Sequence, residues 1–209
     1  MILQLQPQNP EVRQLKIISE NLRSGSIYIF PTDTAYAIIA DSQSKQGLER
    51  MNRLKNIEKH KPLSIICSDI SMASEYIENL PNEAYRLMKR LTPGPYTFIF
   101  KANRNLPRAT LSNQKNKNIG VRVPDNIYIR TLLEIHKSPL TTTSVFSEDE
   151  YVTDVEELDH LYGKQVQGII DGGTVEVGYS TIIDFSEGNM NIVREGKGIE
   201  ELNEYRTDL

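Results

Sequence analysis

The chain has 209 residues, 38% of them hydrophobic and 25% charged, with a formal net charge of -4 at pH 7. That is enough chain for a sizeable core and a composition unlike that of disordered proteins, and the acidic balance argues against indiscriminate nucleic-acid binding while leaving room for a local basic cleft. One cysteine, Cys67, excludes an internal disulfide framework and fits a reducing cytosol. Residues Met1 to Pro7 lack the basic and apolar parts of a signal peptide and no apolar run reaches membrane-spanning length, so a cytoplasmic location is expected.

Asn9 and Pro10 mark a helix start, a capping residue followed by proline at the first helical position. Val12, Leu15, Ile18 and Leu22 follow at helical spacing, and Gly25 is placed to end the helix. Ile27 to Phe30 reads as a buried strand. Pro31 stops its ladder, having no N–H to donate. Thr32, Asp33, Thr34 and Tyr36 then crowd small polar groups onto the strand's carboxyl end. In open α/β sheets ligands sit beyond such ends. The stretch therefore reads either as a binding lip or as an Asp/Thr turn that satisfies only its own backbone. Asp41 or Ser44 can cap a second helix with Leu48, Met51 and Leu54 inward. That helix runs into the segment from Arg50 to Lys61, where five of twelve residues are Arg or Lys. Such a run is a solvated basic face or, more sharply, a cationic wall for phosphates.

Leu63 to Cys67 is an apolar strand whose thiol is expected to be buried and structural. Asn82 to Leu91 carries Ala84, Leu87, Met88 and Leu91 as a helical stripe, and Pro93, Gly94 and Pro95 end it. Tyr96 to Phe100 and Ile119 to Pro124 are strands, separated by a polar, basic loop from Asn103 to Asn118. Arg122 faces opposite to Val121 and Val123, so it needs an anion or solvent on its face, most commonly a salt bridge to a neighbour. Asp125 can cap a helix with Ile129, Leu132 and Leu133 inward. Pro139 to Ser144 is a strand ending in hydroxyls. Thr153 and Glu156 form a capping-box pattern before a helix with Leu158, Leu161 and Tyr162. Gly168 to Gly173, Tyr179 to Asp184 and Met190 to Arg194 are strands, the last two as a pair, and the charged tail after Gly198 is expected to be peripheral. Strands and helices alternate through the first two thirds and strands cluster at the end. This favours an α/β fold: an open, twisted sheet of mixed parallel and antiparallel strands with helices on its faces, in a single domain spanning 1–209.

The standard catalytic signatures are missing. There is no Walker A sequence and no dinucleotide glycine fingerprint. His60, His136 and His160 have no metal-ligand spacing, and Ser144 has no nucleophile-elbow pattern. What remains is a distributed set of hydroxyls at Thr32, Thr34, Thr143, Ser144, Ser180 and Thr181, with cations at Lys55, Lys61, Arg122 and Arg194. Gathered at strand ends, these groups suit phosphate or carboxylate binding and electrostatic catalysis.

The blocks Pro31 to Tyr36, Lys55 with Lys61 to Leu63, Pro93 to Thr97, Gly120 to Pro124, Ser144, Gly178 to Thr181 and Arg194 to Gly196 resemble the YrdC/YciO family. That family includes the threonylcarbamoyl-AMP synthases, and the similarity runs in order from Pro7 to Gly198. The resemblance implies an open α/β fold with a large, positively lined cavity. It also implies a nucleotidyltransferase reaction in which L-threonine, bicarbonate and ATP give threonylcarbamoyl-adenylate and pyrophosphate, serving the threonylcarbamoyl modification of tRNA adenosine. By position, Thr32, Thr34, Tyr36 and Thr143 would hold threonine, while Lys55 and Lys61 would face the phosphates. Ser144, Ser180 and Arg194 would contact the nucleotide, and Lys55, Lys61 and Arg194 would form the catalytic group. Mg2+ would arrive with ATP, held by phosphates and water, with no protein-held metal. The family also suggests affinity for double-stranded RNA or tRNA, which the rim residues Arg50, Arg53, Lys59 and Lys61 would serve. Two departures from the synthase pattern matter. Ile57 stands where the synthases carry arginine, and Phe146 where they carry asparagine. With Tyr36, Ala37 and Ile38 in place of Tyr-Gly-Leu, the pattern is nearest to the YciO branch, in which RNA binding without efficient synthesis is the alternative expectation.

Overall fold

The computed structural model describes residues 1–5, 12–55, 63–107, 110, 117–147, 150–173, 175 and 178–207. In chain order they form β1 (Ile2–Gln4), α1 (Val12–Arg23), β2 (Tyr28–Pro31), β3 (Tyr36–Asp41), α2 (Lys45–Lys55), β4 (Ser64–Ile66), α3 (Ile70–Ser74), α4 (Asn82–Leu91), β5 (Tyr96–Lys101) and β6 (Asn118–Arg122). There follow α5 (Ile127–His136), β7 (Leu140–Ser144), β8 (Phe146–Ser147), β9 (Glu150–Tyr151), α6 (Val155–Tyr162), β10 (Gly168–Asp171), β11 (Thr181–Asp184), β12 (Asn191–Arg194) and α7 (Ile199–Thr207).

One ten-stranded sheet runs in the order β1-β10-β2-β3-β7-β4-β6-β5-β11-β12, and β8 pairs with β9 as a separate two-stranded ribbon. Pairing is parallel for β1/β10, β10/β2, β4/β6 and β5/β11 and antiparallel elsewhere. The expected mixed open sheet with helices on its faces is the observed architecture.

Successive residues of a strand point to opposite faces, and the core clusters sort accordingly. On the first face, Leu15, Ile18 and Leu22 of α1 and Ile129, Leu132 and Leu133 of α5 pack over Tyr28, Phe30, Ile39, Ile66, Leu140 and Ile170. On the second face, Leu48 and Met51 of α2 and Leu158 of α6 cover Ile29, Tyr36, Ile38 and Ile169. Farther along the second face, Leu87 and Met88 of α4 and Leu202 of α7 cover Ile65, Val121, Phe98 and Ile183. Each fully buried aliphatic side chain of this kind contributes roughly 1.5–3 kcal/mol. The second face is thus covered along its length. Among the described residues, α1 and α5 cover the first face over β10, β2, β3 and β7 as far as Ile66 of β4, and beyond them it carries mostly small and polar residues.

Several elements differ from the sequence reading. The lip after Pro31 is a tight connection into β3, antiparallel to β2 with Pro31 opposite Tyr36. Every residue of β3 is buried, its second face under α2 and α6 and its first face under α1 except where Ala37 meets the cleft, so it shows no alternation. Ser44, not Asp41, caps α2: its hydroxyl accepts from the Gly47 N–H at 3.2 Å, while Asp41 takes the Gln43 N–H at 2.9 Å. Asn126, not Asp125, caps α5 by accepting from Tyr128 and Ile129. Asp154, one residue beyond Thr153, caps α6 by accepting from Glu157. Gly25 closes α1 as expected, at φ 90°, with its N–H on the Leu22 carbonyl. The tail after Gly198 is not peripheral: it forms α7, whose Leu202 is fully buried against the α4 side of the core. Cys67 is fully buried, and burial pushes its thiol far up. Among the described residues no helix is long and apolar enough to cross a membrane. Asn9, Pro10 and the segment 56–62 lie outside the described residues.

Candidate functional site

The uncovered part of the first face is a cleft of about 280 Å³. Its floor comes from strand alternation. Ile65, Val121, Phe98 and Ile183 point into the core on the second face. Their neighbours Ser64, Arg122, Thr97 and Ile182 point the other way and line the cleft. Gly120, paired with Ser64, keeps the floor low because it adds no side chain to it. A Cβ there would come 2.5 Å from the Ser64 hydroxyl and 3.1 Å from the Thr97 methyl. Ala37, Thr142, Thr143 and Ser144 add one side wall, and Thr34, Tyr151, Ser180 and Arg194 complete the lining.

Two guanidiniums set the electrostatics. Arg122 donates from Nη1 to the Thr34 hydroxyl at 2.9 Å and from Nη2 to Asp33 Oδ1 at 2.6 Å. The second oxygen of Asp33 accepts the Asp125 N–H at 3.1 Å. The expected salt bridge of Arg122 to a neighbour is therefore present and nearly buried, each side chain 9% exposed. Nε of Arg122 is buried without a hydrogen-bond partner. Arg194 reaches back from β12, donating from Nε to the Ser180 carbonyl and from Nη2 to the Ser180 hydroxyl, both at 3.0 Å. The Ser180 hydroxyl also lies 2.9 Å from that of Thr97. Arg194 stacks on the Tyr179 ring at 4.9 Å, and the Tyr179 and Tyr151 rings meet at 5.2 Å. Burial and Tyr179 push the Tyr151 phenol up, and Arg194 and Arg122 pull against them, leaving it above its ordinary value. Tyr151 is thus a neutral donor at pH 7. Among the described residues the lining holds hydroxyls and two guanidiniums but no carboxylate. It is built to hold a small anionic ligand through charge-assisted hydrogen bonds.

Of the residues singled out from sequence, Thr34, Thr143, Ser144, Ser180, Arg122 and Arg194 come together in this cleft. Thr32 does not line it: its hydroxyl braces the turn, donating to the Ala35 carbonyl at 2.6 Å and accepting from the Thr34 and Ala35 N–H groups. Here the Asp/Thr-turn reading holds, while Thr34 serves the lip reading. Tyr36 is on the opposite face, where its ring packs with Ile38 and its hydroxyl bridges the Gly172 N–H and Gly173 carbonyl. Strand parity puts it there, since it shares a side with Ile38. Thr181 holds the following segment, donating to the Lys197 carbonyl and accepting from Gly196. Lys55 ends α2, whereas Lys61 and Ile57 lie outside the described residues, and Phe146 opens β8. Ser64, Thr97 and Thr142 were not singled out as ligand groups. The signal for the first two was a small hydroxyl residue beside large core residues in an apolar strand. No sequence pattern pointed to Tyr151.

The fold and cleft define an open α/β protein with a cationic, hydroxyl-lined site on the uncovered part of its sheet. The chain belongs to the Sua5/YciO/YrdC family, whose pattern, described as telomere recombination, matches residues 20–196. It is 36% identical over 196 residues to the uncharacterized protein YciO of Escherichia coli, covering 93% of this chain and 94% of that protein. The crystal structure of E. coli YciO superposes with a TM-score of 0.87 at 34% identity, over 95% of this chain and 96% of that one. The human threonylcarbamoyl-AMP synthase is 29% identical over 195 residues, 89% of this chain and 68% of that protein. The crystal structure of P. abyssi Sua5 complexed with L-threonine superposes with a TM-score of 0.89 at 25% identity, over 98% of this chain but 60% of that one.

Proposed function

We propose that this protein is a threonylcarbamoyl-AMP synthase-like nucleotidyltransferase acting for tRNA threonylcarbamoyladenosine modification. Its threonine amine substrate would condense with bicarbonate to a carbamate, releasing water. A carbamate oxygen would then attack the α-phosphorus of ATP, and the bond to the β-phosphate oxygen would break with pyrophosphate leaving. Such a step needs positioning and charge neutralisation more than covalent help from the protein. The observation that carries the reading is the convergence of Arg122, Arg194 and the hydroxyls of Thr34, Thr143, Ser144 and Ser180 on one cleft. The likeness to a structure holding L-threonine supports it.

Thr34 and Thr143 would hold threonine, and Ser144, Ser180 and Arg194 the nucleotide, with Lys55 and Lys61 facing the phosphates. At about 280 Å³ the cleft is at the small end of ligand sites, so part of the triphosphate would lie along its open side. ATP would enter as its Mg2+ complex. Among the described residues no three His, Cys, Asp or Glu side chains gather as a metal site, and Asp33 is engaged by Arg122 and Asp125. A donor set of this kind fits an ion carried on phosphates and water. The alternative reading is RNA binding at the rim. Arg50 donates to the Gly25 carbonyl and Arg53 is exposed on α2, while Lys59 and Lys61 lie outside the described residues.

The test is incubation with ATP, L-threonine and bicarbonate, with mass detection of threonylcarbamoyl-adenylate and measurement of pyrophosphate. Product should form, and Arg194→Ala should lower its rate roughly ten- to a hundredfold, the loss of one charge-assisted contact. No adenylate product together with no calorimetric ATP binding would overturn the proposal.

A further inference from the structure

We propose that Tyr151 and Tyr179 form an aromatic wall that stacks the base of the bound nucleotide, so that the site takes nucleotides in preference to bare polyphosphates. This rests on the nucleotide reading of the cleft. The wall is assembled from separate parts of the chain. Tyr151 comes from the β8/β9 ribbon and lines the cleft. Tyr179 precedes β11 and is 48% exposed, an aromatic ring left at the mouth of a polar cleft. Their rings meet at 5.2 Å and 54°. The guanidinium of Arg194 lies 4.9 Å from the Tyr179 ring and is pinned to Ser180 by two hydrogen bonds. The backbone is held as well, since the Tyr179 carbonyl accepts the Lys197 N–H at 2.8 Å.

A cation and two tilted rings fixed in this way are pre-organised for a flat π-system. Every nucleobase offers such a face, whereas threonine, bicarbonate and a polyphosphate do not. Among the described residues, the rest of the lining is small residues, hydroxyls, Ile182 and Arg122. Arg194 and Arg122 both lie close enough to Tyr151 to act on its phenol, so the rings and the two guanidiniums share one cleft. Arg194 belongs to both ligand parts, positioned to meet phosphate oxygens while bracing the ring beside the base.

The experiment is calorimetric titration of the full chain with MgATP and, separately, with magnesium tripolyphosphate, for the wild type and for Tyr179→Leu, Tyr179→Phe, Tyr151→Leu and Tyr151→Phe. Loss of one stacking partner is expected to weaken ATP by roughly fivefold or more in each leucine variant, leave tripolyphosphate unchanged and leave both phenylalanine variants near wild type. Equal weakening of ATP and tripolyphosphate would mean that the rings only brace Arg194, and overturns the proposal. Unchanged ATP affinity in both leucine variants overturns it while leaving the nucleotide reading intact. A wild type that binds neither ligand overturns both. Circular dichroism of each variant separates lost binding from lost fold, and the exposure of Tyr179 makes that position the safer of the two.

Discussion

Arg122 is the most constrained charge in the cleft. Its guanidinium is held by Thr34 and Asp33, and Asp33 in turn by the Asp125 N–H. A buried ion pair is weak evidence for stability in itself, but removing one partner leaves the other charge buried and uncompensated. Asp33→Asn keeps the shape of the side chain and removes the charge. It is expected to lower unfolding stability by about 3–5 kcal/mol, read from urea denaturation at neutral pH. A change below about 1 kcal/mol would show that solvent or another group already balances Arg122. The pair also fixes the Thr32–Thr34 turn against β6, so the arginine serves geometry as well as charge. In sequence, the strand position of Arg122 and its need for a counter-ion were legible, because alternation places it opposite Val121. The identity of the partner was not, since Asp33 lies 89 positions away in the chain.

Helices and strands were legible from a stripe or alternation of large apolar residues, or, as in β2, from a short continuous apolar run. In α4 the stripe of Ala84, Leu87, Met88 and Leu91 is buried, and in β5 the large residues Tyr96, Phe98 and Phe100 alternate with others. In β3 every residue is buried, so periodicity vanishes, and only its first residue, Tyr36, was named, as the end of the lip. Its threonine-holding role was what the family resemblance implied, and a motif match carries no strand parity. Tyr151 and the small floor residues were missed for a related reason: a cleft is defined by what is left uncovered, which local pattern does not report. The final helix shows the opposite error, a charged surface hiding the inward residues Ile199, Leu202 and Tyr205. Leu202 is fully buried, and the backbone turns into α7 at Gly198, φ 80°, packed so closely that a Cβ would sit 2.4 Å from the Tyr96 hydroxyl. Tyr96 lies within hydrogen-bonding distance of both the Gly198 carbonyl and Glu201. Leu202→Ala is therefore expected to cost about 2–5 kcal/mol, as in other buried leucine truncations. In a peripheral tail the same substitution would change stability by less than about 0.5 kcal/mol, so a denaturation curve separates the two.

Among the described residues no helix covers the cleft half of the first face, and the cover of the other half depends on how firmly α1 and α5 are joined to each other and to the sheet. A buried polar cluster makes that join. The Ser19 hydroxyl of α1 lies 2.8 Å from His136 Nδ1 at the end of α5, and His136 Nε2 lies 3.6 Å from Asp41 Oδ2 at the end of β3. The latter distance is too long for a hydrogen bond. Arg23 of α1 donates to the His136 carbonyl. Burial pushes the Asp41 carboxyl up, but His136, the Gln43 N–H and Arg23 together more than reverse this and hold it below its ordinary value. A carboxyl whose folded pKa is below its unfolded one contributes stability that is present above the unfolded value, about 3.9, and is lost as pH falls through the folded value. Replacing Asp41 by Asn should therefore cost roughly 1.5–3 kcal/mol at pH 7, the worth of hydrogen bonds to a charged group. The gap between wild type and variant should close as the pH drops below about 4, because protonation then removes the same charge from the wild type. Urea unfolding of both proteins from pH 7 to pH 3 measures that gap directly. A gap that stays constant across this range would show that the cluster holds the helices by shape alone, with no contribution from the charge on Asp41.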